Sequence, residues 1–179
     1  LAQVVQSYIV VKGENYMIKI DKLSKKYDKD YVLKDLSCTI KDNSIYGLVG
    51  ANGSGKSTLL RTIMGIYDTD GGDITVDGSK VYDNDVIKQK MVFVQDDLYF
   101  NSNYTLMDTA RYYESMYKNF DMNYLKELAN MLNLSLNKKI STFSKGMKRQ
   151  CALICAISTN ADYMFFDETF DGLDPVIRN

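Results

Sequence analysis

The chain has 179 residues, 45% of them apolar and 25% charged, with a formal net charge of −1 and no histidine. These values fit one medium globular domain with its own core, and the balanced charge, with a pI of about 5.5, argues against a broad nucleic-acid footprint. No apolar run approaches the length of a membrane span and no secretory leader is read at the start; the three cysteines, Cys38, Cys151 and Cys155, lack metal-type spacing and fit a reducing compartment, and Cys151 and Cys155, four apart on one helix face, read as core packing.

Residues 1–16 carry no clear pattern and read as an uncertain N-terminal extension, because the periodicity sharpens only at Met17, a plausible natural start. Met17 to Leu23 alternates and reads as a strand, and Ser24 to Tyr27 leads out of it. After the turn Asp28-Lys29-Asp30, Val32-Leu33 and Leu36 to Ile40 read as further strand, so the chain enters through antiparallel β structure. Tyr27 offers a ring face for an adenine, with Tyr31 as its rival and a plain strand-end tyrosine as the other reading.

The stretch Ile45 to Val49 is an apolar run read as a buried strand. It is followed by Gly50-Ala51-Asn52-Gly53-Ser54-Gly55-Lys56-Ser57-Thr58 and then by a helical pattern through Met64. Strand, glycine loop of the form G-x-x-x-x-G-K-[ST], then helix is the context that marks a phosphate-binding loop. Backbone N–H groups can ring a triphosphate only where side chains do not intrude, which accounts for Gly50, Gly53 and Gly55. Asn52 and Ser54 belong to the same cradle. The helix N-terminus faces the anion, Lys56 reaches the β- and γ-phosphates, the Ser57 hydroxyl ligates Mg²⁺, and Thr58 lies by the α-phosphate.

Beyond this helix, 68–73 reads as a loop, Ile74-Thr75-Val76 as a strand and Asp77-Gly78 as a hairpin turn. Met91 to Val94 is a short buried strand that ends on Gln95-Asp96-Asp97, at the sheet edge where ligands sit in α/β proteins. From Thr105 to Leu134 the spacing turns helical, with Asp121 as the N-cap of a second helix. Ser141 to Met147 leads into a helix from about Met147 to Ser158. Tyr163 to Phe166 is an all-apolar strand, as a parallel sheet covered on both faces requires, and it ends on Asp167-Glu168. Asp174-Pro175 reads as the N-cap and first turn of a last helix.

Adjacent residues at a strand end point in different directions and can take different tasks. Asp167 is assigned to Mg²⁺ through water, opposite Ser57. Glu168 is assigned to the attacking water as general base. Gln95 reaches the metal or that water. The plain alternative for the acid pair is a strand-end turn.

Taken in order, these pieces resemble the nucleotide-binding subunit of ABC transporters over residues 17–179. They are the aromatic Tyr27, Walker A from Gly50 to Thr58, the Q-loop glutamine Gln95, a signature stretch Phe143-Ser144-Lys145-Gly146-Met147, Walker B ending at Asp167, Glu168, and a D-loop Asp171-Gly172-Leu173-Asp174. The resemblance implies a P-loop NTPase of the α/β class, with a mixed or parallel core sheet, an N-terminal antiparallel β subdomain and a helical insertion at about 98–150. It implies ATP and Mg²⁺ as cofactors, and a dimer with a second nucleotide-binding subunit in which Ser144 and Gly146 bind the γ-phosphate held by the opposite subunit. It also implies membrane-spanning permease subunits as partners, no nucleic acid, and a cytoplasmic place on the inner face of the cell membrane. Ser144 suits its task because it can cap the following helix, whose first N–H groups then face an anion.

The chain departs from the family pattern at several points. Phe143, Lys145 and Met147 replace three residues of the common Leu-Ser-Gly-Gly-Gln signature, in a form similar to bacterial export-type ATPases. Thr169 and Phe170 stand where proline and threonine are usual. The family's switch histidine lies beyond Asn179, so the C-terminal part is expected to be missing and this stretch alone to hydrolyse ATP weakly or not at all. A GTP-binding switch is the competing reading, but Asn137-Lys138-Lys139-Ile140 lacks the aspartate that a guanine reader needs. An ABC-type ATPase with a soluble task, and an ATP-binding module that never hydrolyses, complete the alternatives.

Overall fold

A computed structural model describes residues 7–13 and 17–169. The D-loop and the Asp174-Pro175 helix start lie outside the described residues. Those described fall into two compact units, 7–93 with 162–167 and 94–161 with 168–169.

The first unit is built on two four-stranded sheets. One has the order β4-β1-β8-β7, where β1 is Ser7–Val11, β4 Ser44–Leu48, β7 Met91–Val94, whose last residue falls in the second unit, and β8 Tyr163–Phe166. The other has the order β3-β2-β5-β6, where β2 is Met17–Tyr27, β3 Asp30–Lys41, β5 Gly71–Val76 and β6 Ser79–Lys80. Helix α1 spans Lys56–Ile63 and a single turn, α2, spans Asp85–Lys88. The alternation read in the sequence sets the inner faces: Ile18, Ile20 and Leu23 of β2, with Ile74 and Val76 of β5, are buried with Ile9, Val11, Leu60, Ile63, Met91, Tyr163 and Phe165 in one apolar core.

Three expectations are corrected. Residues 7–11 are not a patternless extension: β1 lies inside a sheet, antiparallel to β4 on one side and to β8 on the other. Its own sequence alternates, with Ser7, Ile9 and Val11 buried and Tyr8 and Val10 less so. The strand before the glycine loop is not buried on both faces. It is an edge strand among the described residues, and Ile45 and Val49 are 71% and 55% exposed. Strand β2 does not end near Leu23 but runs to Tyr27, because register shifts after Ile20 and Leu23 let it turn and continue pairing with β3.

Those shifts explain Gly72. It lies in β5 at φ +74, where the pairing with β2 shifts between Asp21 and Ser24, and a Cβ there would overlap the carbonyl oxygens of Asp21 and Lys22. Gly72→Ala is therefore expected to destabilise the protein by about 3 kcal/mol, from left-handed strain plus backbone overlap, read as a lowered midpoint of urea unfolding. The β5–β6 hairpin turns on Asp77-Gly78, both at positive φ, as its sequence predicts. The Asp77 carboxylate accepts from the Tyr163 hydroxyl and from Lys90 Nζ at 2.9 Å, which pins this turn to β8.

The second unit holds α3 Leu106–Met116, α4 Met122–Met131, a 3-10 turn at Ile140–Thr142 and α5 Lys145–Ser158. Thr105 and Asp108 form a reciprocal capping box at α3. Asp121 caps α4 by accepting from the amides of Asn123 and Tyr124, as its sequence context predicts. Leu106, Ala110, Leu125, Ala129, Ile140, Cys151, Ile154 and Cys155 share the core. Burial pushes the Cys151 thiol up to about 12, so it is a packing residue and not a nucleophile. Among the described residues no helix is long and apolar enough to cross a membrane.

Candidate functional site

The glycine loop follows β4 and leads into α1. The helix begins after Gly55, which sits at φ +92, and no side chain caps its N-terminus. A Cβ on Gly55 would press within 3.2 Å of Val32 and Leu33 on β3, so the loop can close against the β2–β3 hairpin only with glycine at that point. The start of α1 thus keeps its first N–H groups clear of a capping side chain, the condition for an anion site. Lys56 Nζ donates to Gly50 O at 2.9 Å and Ala51 O at 3.1 Å. The ammonium therefore reaches back across the whole loop, to oxygen acceptors of the kind a phosphate also offers. Ser57 and Thr58 are half-buried in the first turn of the same helix.

Asp167 comes from the far side of β1. In the register, Ser7 faces Leu48 of β4, while Tyr8 faces Phe166 of β8. Both flanking strands run opposite to β1, so they run the same way as each other and end level. The end of β4 and Asp167 are then two strand spacings apart, about 10 Å, on one sheet edge. Asp167 is buried, 2% exposed, and accepts from the Ser7 hydroxyl at 2.9 Å. Its place on the sheet edge with the glycine loop follows the sequence expectation; its bond to Ser7 does not.

A magnesium ion fits this donor set chemically. The Ser57 hydroxyl and the Asp167 carboxylate are hard oxygen donors, the kind magnesium takes. Few protein ligands, completed by water and phosphate oxygens, is the usual magnesium pattern.

Tyr27 ends β2, half-exposed, with Tyr67 edge-to-face at 6.2 Å and 89°. Its rival Tyr31 carries Lys26 Nζ over its ring at 4.3 Å and Lys34 Nζ at 5.5 Å. Cations thus already lie over the Tyr31 ring.

The remaining predicted residues belong to the second unit. Ser144 is the N-cap of α5, accepting from Met147 N at 3.2 Å, so the helix starts at Lys145 and not at Met147. Gly146 sits in its first turn, where an added Cβ would come no closer than 4.0 Å to Ser144 Oγ. Gln95 directly follows β7. Glu168 has left-handed backbone, φ +49, a conformation costly for a residue other than glycine.

Four residues near these positions carry no assignment from the sequence. Ser7 meets Asp167, Thr169 Oγ1 donates to Val94 O at 3.1 Å, and Arg149 Nη2 donates to Asp96 Oδ1 at 2.8 Å. Arg149 alone leaves a usable signal: it is a charge four residues before Leu153 on a face of α5 that is otherwise buried and apolar, which calls for a partner.

A family model described as ABC transporter matches residues 33–171. The ABC transporter ATP-binding protein YtrB of Bacillus subtilis is 36% identical over 91% of this chain and 56% of its own length. The methionine import ATP-binding protein MetN of Protochlamydia amoebophila is 30% identical over 90% of this chain and 52% of its own. The chain thus spans about half the length of these curated relatives. A solved structure described as the ATP-binding subunit of an ABC transporter superposes with a TM-score of 0.75, at 24% identity, over 89% of this chain and 69% of the other, and shares its fold.

Proposed function

The chain belongs to the ABC transporter family, as one of its ATP-binding domains, and from that premise we propose that it binds Mg²⁺-ATP and hydrolyses it to drive transport through membrane-spanning permease subunits. The observation that carries the reading is the glycine loop, with its uncapped helix and the ammonium of Lys56 laid across it. Lys56 holds the terminal phosphates, the α1 N–H groups hold the charge behind them, and Tyr27 stacks on the base. Ser57 and Asp167 would hold Mg²⁺, which, when bound, neutralises charge on the β- and γ-phosphates. Glu168 takes the proton of the attacking water, and Gln95 orients that water or completes the metal shell.

In the same reading Ser144 and Gly146 offer the start of α5 to the γ-phosphate bound by a second nucleotide-binding subunit. The Ser144 cap and the open space beside the Gly146 Cα support it. The unit then works at the inner face of the membrane, as a peripheral partner of the permease. The finer reading is export, favoured by the Ser144-Lys145-Gly146-Met147 form of the signature; a methionine importer stands among the relatives, so similarity alone does not set direction.

The test is equilibrium binding of a fluorescent ATP analogue with and without Mg²⁺. Saturable binding is expected, tightened by Mg²⁺ and competed by ATP ahead of GTP. Absence of saturation up to about 1 mM, an affinity of only about 4 kcal/mol, removes the nucleotide site and with it the function.

A further inference from the structure

Gln95 is flanked by two residues that are each tied to a distant part of the chain within the second unit. On its N-terminal side, Val94 O accepts from Thr169 Oγ1 at 3.1 Å, a buried bond across 75 positions. On its C-terminal side, Asp96 Oδ1 accepts from Arg149 Nη2 at 2.8 Å, across 53 positions. We infer that Thr169 and Arg149 are positioning residues, which clamp the Gln95 segment from both sides and fix it against Glu168. The clamp presupposes the ATPase reading above.

Each half of the clamp is built for permanence. The Arg149 side chain is 6% exposed, whereas Asp96 is 51% exposed. A guanidinium in that position loses its hydration, so it holds the carboxylate that meets it. The pull acts on Asp96, which has solvent to turn towards and is held inward by this bond. Thr169 is 1% exposed and follows Glu168 directly. Because Glu168 has left-handed backbone, its turn has little intrinsic preference for that shape, and a buried hydroxyl bonded to a strand carbonyl holds it there. The same bond sets the spacing between the residue before Gln95 and the residue after Glu168. One turn of α5 beyond Ser144 and Gly146, Arg149 ties the other end of the Gln95 segment to the signature helix.

The clamp acts on geometry and not on nucleotide contact, so its loss is expected to separate turnover from binding. Thr169→Val keeps the shape and removes the hydroxyl; Asp96→Ala removes the acceptor that Arg149 donates to. In the polypeptide that carries this chain with its partners, each is expected to lower kcat about tenfold with KM for ATP within about twofold of the parent. ATP affinity, with and without Mg²⁺, is expected to stay within about twofold of the parent. Thr169→Ser, which restores the hydroxyl, is expected to recover the parent kcat. If Thr169→Val fails to fold, Asp96→Ala, at a half-exposed position, still decides the matter. Parent-like kcat in Asp96→Ala overturns the clamp, and so does a loss of ATP affinity beyond about twofold that accompanies any fall in kcat, the mark of general structural damage. A parallel Glu168→Gln variant separates the two levels. If it is inactive while the clamp variants are parent-like, the clamp alone falls; if it turns over like the parent, the ATPase reading falls with it.

Discussion

Lys56→Ala is expected to weaken Mg²⁺-ATP binding at least a hundredfold, about 2.7 kcal/mol. The lysine is the first residue of α1 and its ammonium already spans the loop to Gly50 O and Ala51 O at 2.9 and 3.1 Å. Its reach therefore covers the space that the loop encloses, where a charge-assisted bond to phosphate is about twice as strong as a neutral one. Truncation removes the cation, and the helix N-terminus that remains contributes only about 1 kcal/mol. The same truncation also releases two loop carbonyls. Ala51 is exposed and Gly50 half-buried, so water can replace the lysine, and the loss is expected to cost less than about 1 kcal/mol of folding stability. Calorimetric titration with Mg²⁺-ATP, paired with a thermal melt, separates the two effects. An unchanged melt with a dissociation constant within about threefold of the parent would falsify the assignment of Lys56.

The second large effect concerns Glu168. Glu168→Gln retains size and the capacity to accept a hydrogen bond but cannot take a proton, and general-base catalysis contributes about 10²- to 10⁴-fold. Turnover in the polypeptide that carries this chain with its partners is expected to fall by at least about a hundredfold, with Mg²⁺-ATP affinity held within about threefold. Glutamine meets no new steric demand at φ +49 beyond the one glutamate already meets. Bound, unhydrolysed ATP should therefore accumulate, which quench-flow with labelled nucleotide reads directly. A variant that turns over like the parent takes the base role away from Glu168 and revives the reading of a binding module that never hydrolyses.

The parts of the site that are legible in the sequence are those whose causes are local. Strand, glycine loop and helix succeed one another within about 20 residues, and the glycine pattern has one mechanical meaning there. The caps at Asp121 and Ser144 depend on a side chain two or three positions from the amide it accepts from. The parts that stay hidden are those whose partners lie far along the chain. Nothing near Asp96 announces Arg149, and nothing near Val94 announces Thr169. Strand β4 reads as buried because apolar residues fill it, yet burial depends on what lies beside a strand, and the sequence of β4 carries no record of its neighbours. Strand β1 escapes notice for a related reason. Five residues are too few for periodicity to stand out, and its place between β4 and β8 is a property of the sheet and not of the segment.

That place has a consequence for how the chain reaches its native state. Strand β1 joins β4 to β8, and on one of its sides its partners are the residues 163–166. Ser7 and Asp167, which bond at that junction, are 160 positions apart, and closure of so long a loop is entropically slow. During synthesis the first sheet can zip Ser7–Val11 against Ser44–Leu48 early, but it must keep the opposite edge open until residues 163–166 have left the ribosome. Through that interval the nascent protein carries an unsatisfied strand edge, the kind of surface that chaperones shield and that self-association exploits.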